Sequence, residues 1–173
     1  MKRILACAFA LLLSGAVVAQ PIDDFDSLST SELIDVAPEA HPAALYVLSS
    51  RLMAQGRGLE AAKWMYAGQL RYRFLVTALG DAGQDENILL SALTESVGRP
   101  VNEYIAADPD EWIEAMKWAL DWDAAHGNAL TSKTTHASDL AAIRSGLRDL
   151  IVQVDENRDL IRKRRREAGL PVR

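Results

Sequence analysis

The chain is predicted to be all-α, a helical bundle of about six helices, on three observations. Apolar residues recur at three- and four-residue steps in segment after segment, proline and glycine fall at the ends of those segments, and no stretch shows the strict alternation of a half-buried strand. The first twenty residues, MKRILACAFALLLSGAVVAQ, stand apart. Lys2 and Arg3 precede an apolar run from Ile4 to Leu13, and small residues close it at Val17-Val18-Ala19. That is the form of a secretory signal peptide with cleavage after Ala19, and the run is too short to span a bilayer. The organisation expected is therefore a signal peptide over 1–19, a flexible lead over 20–29, a single all-α domain over 30–167 and a flexible tail over 168–173. The exported protein would be periplasmic or secreted.

Within the domain, a short helix from Thr30 has to stop near Ala37-Pro38, because proline pushes its predecessor out of helical geometry. His41-Pro42 supplies a cap followed by proline and opens a helix through Leu45, Leu48, Leu52 and Met53 to Gln55. Gly56-Arg57-Gly58 ends it. A longer helix over about 59–79 follows, with Ala62, Met65, Tyr72, Leu75 and Leu79 along one side, so the two must fold back as a hairpin. Asp85 is placed to cap a helix stopped by Gly98, and Pro100 to start a shorter one through Ile105. Asp108-Pro109-Asp110-Glu111 is the strongest helix start: a capping acid, proline at the first position, and two acids over the positive end of the dipole. Its helix carries Trp112, Trp118 and Trp122 and ends at His126-Gly127-Asn128. After a loop to Thr135, Leu140, Ile143, Leu147, Leu150, Val154 and Ile161 keep a near-heptad rhythm that predicts one long helix to about Glu167.

The hairpin over 42–75 resembles a tetratricopeptide or Sel1-type repeat, with Leu48, Ser49 and Leu52 on its first helix, Gly56 at the turn, and Ala61, Met65 and Gly68 on its second. It departs from that pattern in lacking a proline after the second helix and in having no second copy. The resemblance implies protein interaction, and a lone hairpin needs the remaining helices to cover it.

The only cysteine, Cys7, lies within the signal, so the exported chain would have neither a disulfide nor a thiol nucleophile. Loss of Lys2 and Arg3 makes the formal net charge of −5 two units more negative. An exported acidic chain is a poor match for nucleic acid, despite the Arg71 and Arg73 pair in AAKWMYAGQLRYRFL. Three scattered histidines without a nucleophile motif do not specify acyl transfer. Asp123 and His126 share a helix face, as zinc ligands would, but a dipole-favoured terminal histidine is the simpler account. Glu111 and Glu114 beside Trp112 have the composition of a sugar-cleaving site, and equally of a solvated helix start. No catalytic residue, metal site or cofactor is assigned.

The binding candidates are Tyr66, Gln69 and Arg73, an amphipathic line next to the packed stripe of the second hairpin helix, together with Trp118 and Trp122. Arginine offers a planar pair of donors suited to a carboxylate or peptide. The same line could instead close a polar network with an acid from the Trp-rich helix. Function is read as a non-catalytic exported protein that binds a protein or peptide partner, the alternatives being an immunity-type inhibitor of a secreted toxin or a hydrolase of envelope polymers. Acids gather between Asp81 and Asp123, whereas Arg162-Lys163-Arg164-Arg165-Arg166 make the tail basic. That tail is expected to leave the compact body and attract an acidic partner or, weakly, an anionic membrane.

Overall fold

A computed structural model describes residues 25–173. The expected signal peptide and the start of the lead lie outside these residues. Eight α-helices occur among them: α1 (Thr30–Val36), α2 (Ala43–Ala54), α3 (Gly58–Leu79), α4 (Gln84–Leu93), α5 (Arg99–Ile105), α6 (Pro109–Ala125), α7 (Ala137–Glu156) and α8 (Arg158–Glu167). Because α4 runs into α5 and α7 into α8, the bundle has six helical bodies, and the described residues contain no strand. None of these helices is long and apolar enough to cross a membrane.

Helix α3 is the axis of the bundle, packed between α2 on one side and α5, α6 and α7 on the others. Its length of 22 residues follows from an uninterrupted run of helix-compatible side chains, and Gly80, at φ +55°, ends it in a conformation that L side chains resist. The α2–α3 hairpin turns at Gly56, whose φ is +75°. Small residues then let the two backbones close up. Ser49 Oγ donates to the Ala61 carbonyl at 2.7 Å, and a Cβ at Gly68 would lie 3.1 Å from both Leu45 Cβ and the Tyr46 ring. The apolar stripe Leu45, Leu48, Leu52, Met65, Tyr72 and Leu75 fills the space between and around them.

Helix starts follow local chemistry. Ser29 and Glu32 form a reciprocal capping box at α1, His41 Nδ1 accepts the Ala43 N–H ahead of α2, and Asp108 Oδ1 accepts from Asp110 and Glu111 N–H ahead of α6. Asp85 does not cap. A 3-10 turn, Gly80–Gly83, leads directly into α4 and places Asp85 and Glu86 inside its first turn.

Four expectations are corrected. Gly98 does not stop a helix: Thr94–Gly98 widens into a π turn, with Arg99 N–H bonding Thr94 O, and the chain continues into α5. Pro100 has no N–H to offer the preceding turn, so the helix absorbs it by widening. The long helix to Glu167 breaks at Asn157, whose side chain donates to Gln153 O at 2.7 Å and competes for the ladder. The lead is not free over 25–29, because Phe25 is buried and Arg51 donates to the carbonyls of Phe25, Asp26 and Leu28. Nor does the tail leave the body. Arg158 and Arg162 pair with Asp110, Arg173 N–H donates to Ala107 O at 2.8 Å, and the Arg173 guanidinium lies 3.9 Å from the Tyr104 ring centroid. Of the basic run expected to reach outward, Arg162 is drawn to the acidic start of α6 and Arg165 donates to Glu103 O, while Lys163, Arg164 and Arg166 stay exposed.

Candidate functional site

Two faces of α3 carry the two halves of the bundle's polar chemistry. At about 100° per residue, Tyr66 and Arg73 lie within roughly 20° of each other, as do Trp64 and Arg71, and the two pairs point about 200° apart. The adjacent arginines of AAKWMYAGQLRYRFL therefore enter different environments.

The Trp64 and Arg71 face packs on α6. Arg71 is 1% exposed and Asp123 is fully buried. Arg71 Nε donates to Asp123 Oδ1 at 3.2 Å, Nη1 to the carbonyls of Ala37 and Pro38, and Nη2 to Gly127 O at 2.6 Å. Arg144 of α7 donates to Asp123 Oδ2 at 3.2 and 2.5 Å, and Lys133 Nζ reaches Asp123 Oδ1 at 3.3 Å as well as the Asp123 and His126 carbonyls. Burial pulls the Arg71 and Lys133 pKa values down, and the Asp123 carboxylate opposes this in both. One buried carboxylate thus ties α1's exit, α3, the α6–α7 loop and α7 together.

Trp118 and Trp122 belong to this structural side. They stack at 6.1 Å, both meet Trp64 edge-on at 5.0 and 5.2 Å, and the Arg71 guanidinium lies 4.2 Å from the Trp122 ring centroid. His126 stacks on Trp122 and its Nδ1 meets the Trp122 carbonyl at 2.7 Å, whereas Asp123 points to the arginines. The two do not converge as metal ligands. Glu111 pairs with Arg173 and Glu114 with Lys63, so the two acids are engaged separately.

The other face of α3 opens into a groove beneath α7. Tyr66, Gln69, Leu70 and Arg73 form its floor with Asn102 of α5 and Trp112 of α6, and Ile143, Gly146, Leu147 and Leu150 of α7 form its roof. The cavity holds about 210 Å³. Trp112 joins this site while Trp118 does not, because six residues along α6 rotate the side chain by about 240°. Trp112 Nε1–H can only donate, and it does so to Tyr66 Oη at 2.5 Å. Tyr66 passes its own proton to Asn102 Oδ1 at 2.7 Å. The Asn102 amide is thereby oriented with its NH₂ as the remaining group. Burial pushes the Tyr66 hydroxyl up to about 12, which keeps it a donor across the physiological range.

Gln69 and Arg73 complete the polar side of the groove. Neither side chain makes a hydrogen bond or ion pair with any of the described residues, and Arg73 is exposed at the rim. Among the described residues, no acidic side chain lines this cavity. Beyond Arg73 and Ile143 the groove continues into a second, more open cavity of about 560 Å³ bounded by Val76, Asn87, Leu90, Thr94 and Glu95. Glu95, the acid that lines it among the described residues, pairs with Arg99 at 2.7 Å. At Gly146 a Cβ would meet nothing within 4 Å, so α7 stands off the floor here.

The sequence candidates are thus divided: Tyr66, Gln69 and Arg73 come together, and Trp118 and Trp122 do not join them. Asn102, Trp112 and Gly146 were not singled out for the groove. Compared with known protein families, curated proteins and solved structures, the chain matches none.

Proposed function

We propose that this is an exported, non-catalytic helical protein that binds a protein or peptide segment in the groove beneath α7. The observation that carries the reading is the unpartnered pair Gln69 and Arg73 beside the oriented Trp112–Tyr66–Asn102 chain, facing an apolar roof across an unfilled gap. Polar donors at fixed positions give orientation and the apolar wall gives burial, which is the composition of a binding cleft. The tight α2–α3 hairpin, with Ser49 against Ala61 and Gly68 against Tyr46, is compatible with the resemblance to tetratricopeptide-like interaction repeats on which the reading draws. The amino-terminal basic and apolar run supports export.

Gly146→Leu provides the test. The new side chain enters open space at the roof, and replacing a helical glycine favours the helix. A pool of random dodecapeptides with free carboxyl ends is passed over the wild-type protein and over the variant, and retained peptides are identified by mass spectrometry. Peptides retained by the wild type and lost from a variant with an undiminished melting midpoint support the reading. An empty wild-type fraction, or equal retention by both proteins, overturns it.

A further inference from the structure

Resting on the groove reading, we infer that the segment recognised is the carboxyl end of a polypeptide, with its terminal carboxylate on Arg73 and its last side chain, an apolar one, under the roof of α7. Charge complementarity comes first. The Arg73 guanidinium has no hydrogen-bond or ion-pair partner among the described residues, and the groups that line the cavity with it, the Asn102 NH₂ and the Gln69 amide, can donate. Among the described residues, no carboxylate lines the 210 Å³ cavity. A planar fork of donors with no internal anion to satisfy it calls for a planar bidentate acceptor, and a carboxylate is that shape.

Size and continuity then distinguish a chain end from an internal segment. An apolar cavity of about 150 Å³ accommodates a benzene ring, so 210 Å³ takes one aromatic or branched aliphatic side chain and no more. Trp112, Tyr66 and Asn102, bonded to one another, line this cavity and not the extension. On the other side of Arg73 the 560 Å³ extension lies open, lined by the polar side chains of Asn87 and Thr94 and the apolar ones of Val76 and Leu90. A polypeptide can therefore enter along the extension and stop at Arg73. An internal segment would offer Arg73 a single neutral carbonyl oxygen, where a chain end offers two oxygens and a charge. No residue of α8 lines either cavity, and Arg158 and Arg162 of that helix are engaged with Asp110.

The experiment starts from peptides retained by the wild type in the dodecapeptide pool. Each is resynthesised as the free acid, as the carboxamide, and as the acetylated last residue alone, and binding is measured by fluorescence anisotropy to wild type, Arg73→Gln and Gly146→Leu. Arg73 is exposed and has no hydrogen bond or ion pair among the described residues, so Arg73→Gln folds as the wild type does, which its melting midpoint verifies. The expected result is a preference of roughly tenfold or more for the acid over the carboxamide on the wild type, absent on Arg73→Gln. Acid and carboxamide binding equally, while Gly146→Leu still blocks both, overturns the carboxylate inference and leaves the groove reading intact. An acetylated single residue binding as tightly as the dodecapeptide also overturns it, since the ligand would then be a small carboxylate. An empty wild-type fraction overturns both.

Discussion

Asp123→Ala removes the acceptor shared by three cations, and its cost can be worked from the geometry. The carboxylate receives Arg71 Nε at 3.2 Å, Arg144 at 3.2 and 2.5 Å, and lies 3.3 Å from Lys133 Nζ. Arg144 and Lys133 retain 21% and 22% side-chain exposure, so both can turn to water when the acceptor is gone. Arg71, at 1%, cannot, and it is left with carbonyl partners alone. Breaking a buried pair from one side costs about 3–5 kcal/mol. The surviving carbonyl bonds of Arg71 place this case at the lower end, about 3–4 kcal/mol. At roughly 2–4 °C per kcal/mol for a chain of this size, the midpoint should fall by about 6–16 °C. Urea and thermal unfolding followed by circular dichroism measure it, and the fluorescence of Trp122, which Arg71 overlies, reports the local change. Arg71→Met combined with Asp123→Leu should cost less than Asp123→Ala alone, because no charge is then left buried without its counterion. An Asp123→Ala protein within about 1 kcal/mol of wild type would refute the reasoning, since it would mean that water already solvates the site.

Gly68→Leu should destabilise by about 1–3 kcal/mol by forcing α2 and α3 apart at Leu45 and Tyr46, and an unchanged urea midpoint would remove the close approach from the account. Tyr46→Phe should be neutral or stabilising by up to about 1 kcal/mol, because the Tyr46 hydroxyl is buried beside Thr94 without a hydrogen bond of good geometry; a loss of more than that in calorimetry would reveal a partner. His41 is held below its ordinary pKa of 6.5 by burial, against the attraction of Glu86. The unfolded chain therefore takes up the proton first as pH falls, so this contribution to stability is complete above pH 6.5 and is lost as pH drops through the window beneath it. His41→Asn keeps an oxygen for the Ala43 N–H and should flatten the stability profile over that window; an identical acid slope in the two proteins would assign the effect elsewhere.

Helix identity was legible because it rests on local signals: the Asp108-Pro109 start, the Gly56 turn and the stripe through Met65 and Tyr72 depend on neighbours within a few residues. Departures arose where a longer-range or subtler preference won. Gly98 is a weak helix stop when Pro100 follows and the turn can widen, and Asn157 breaks the heptad run through a bond four residues back. The expected polar network with an acid from the Trp-rich helix exists, but its arginine is Arg71, two residues from the one in the candidate line. Periodicity tells which residues share a face, and it separated Arg71 from Arg73 by about 200°; it does not tell which face meets which partner. The groove's far wall, Asn102 and Gly146, comes from helices distant in sequence and carries no pattern of its own. The basic run over 162–166 looked like a free tail because its acidic complement, Asp110, lies some fifty residues earlier.

The central claim is that partners enter between α3 and α7, and not at the tryptophan stack or the basic end. It is tested most directly by titrating a peptide selected on the wild type into ¹⁵N-labelled protein and following side-chain resonances. The indole N–H of Trp112, the Nε–H of Arg73 and the amides of Gln69 and Asn102 should shift together and saturate at one equivalent, while the indoles of Trp118 and Trp122 stay in place. Saturable shifts confined to Trp118, Trp122 or the arginines of α8, with Trp112 and Arg73 unmoved, would contradict it.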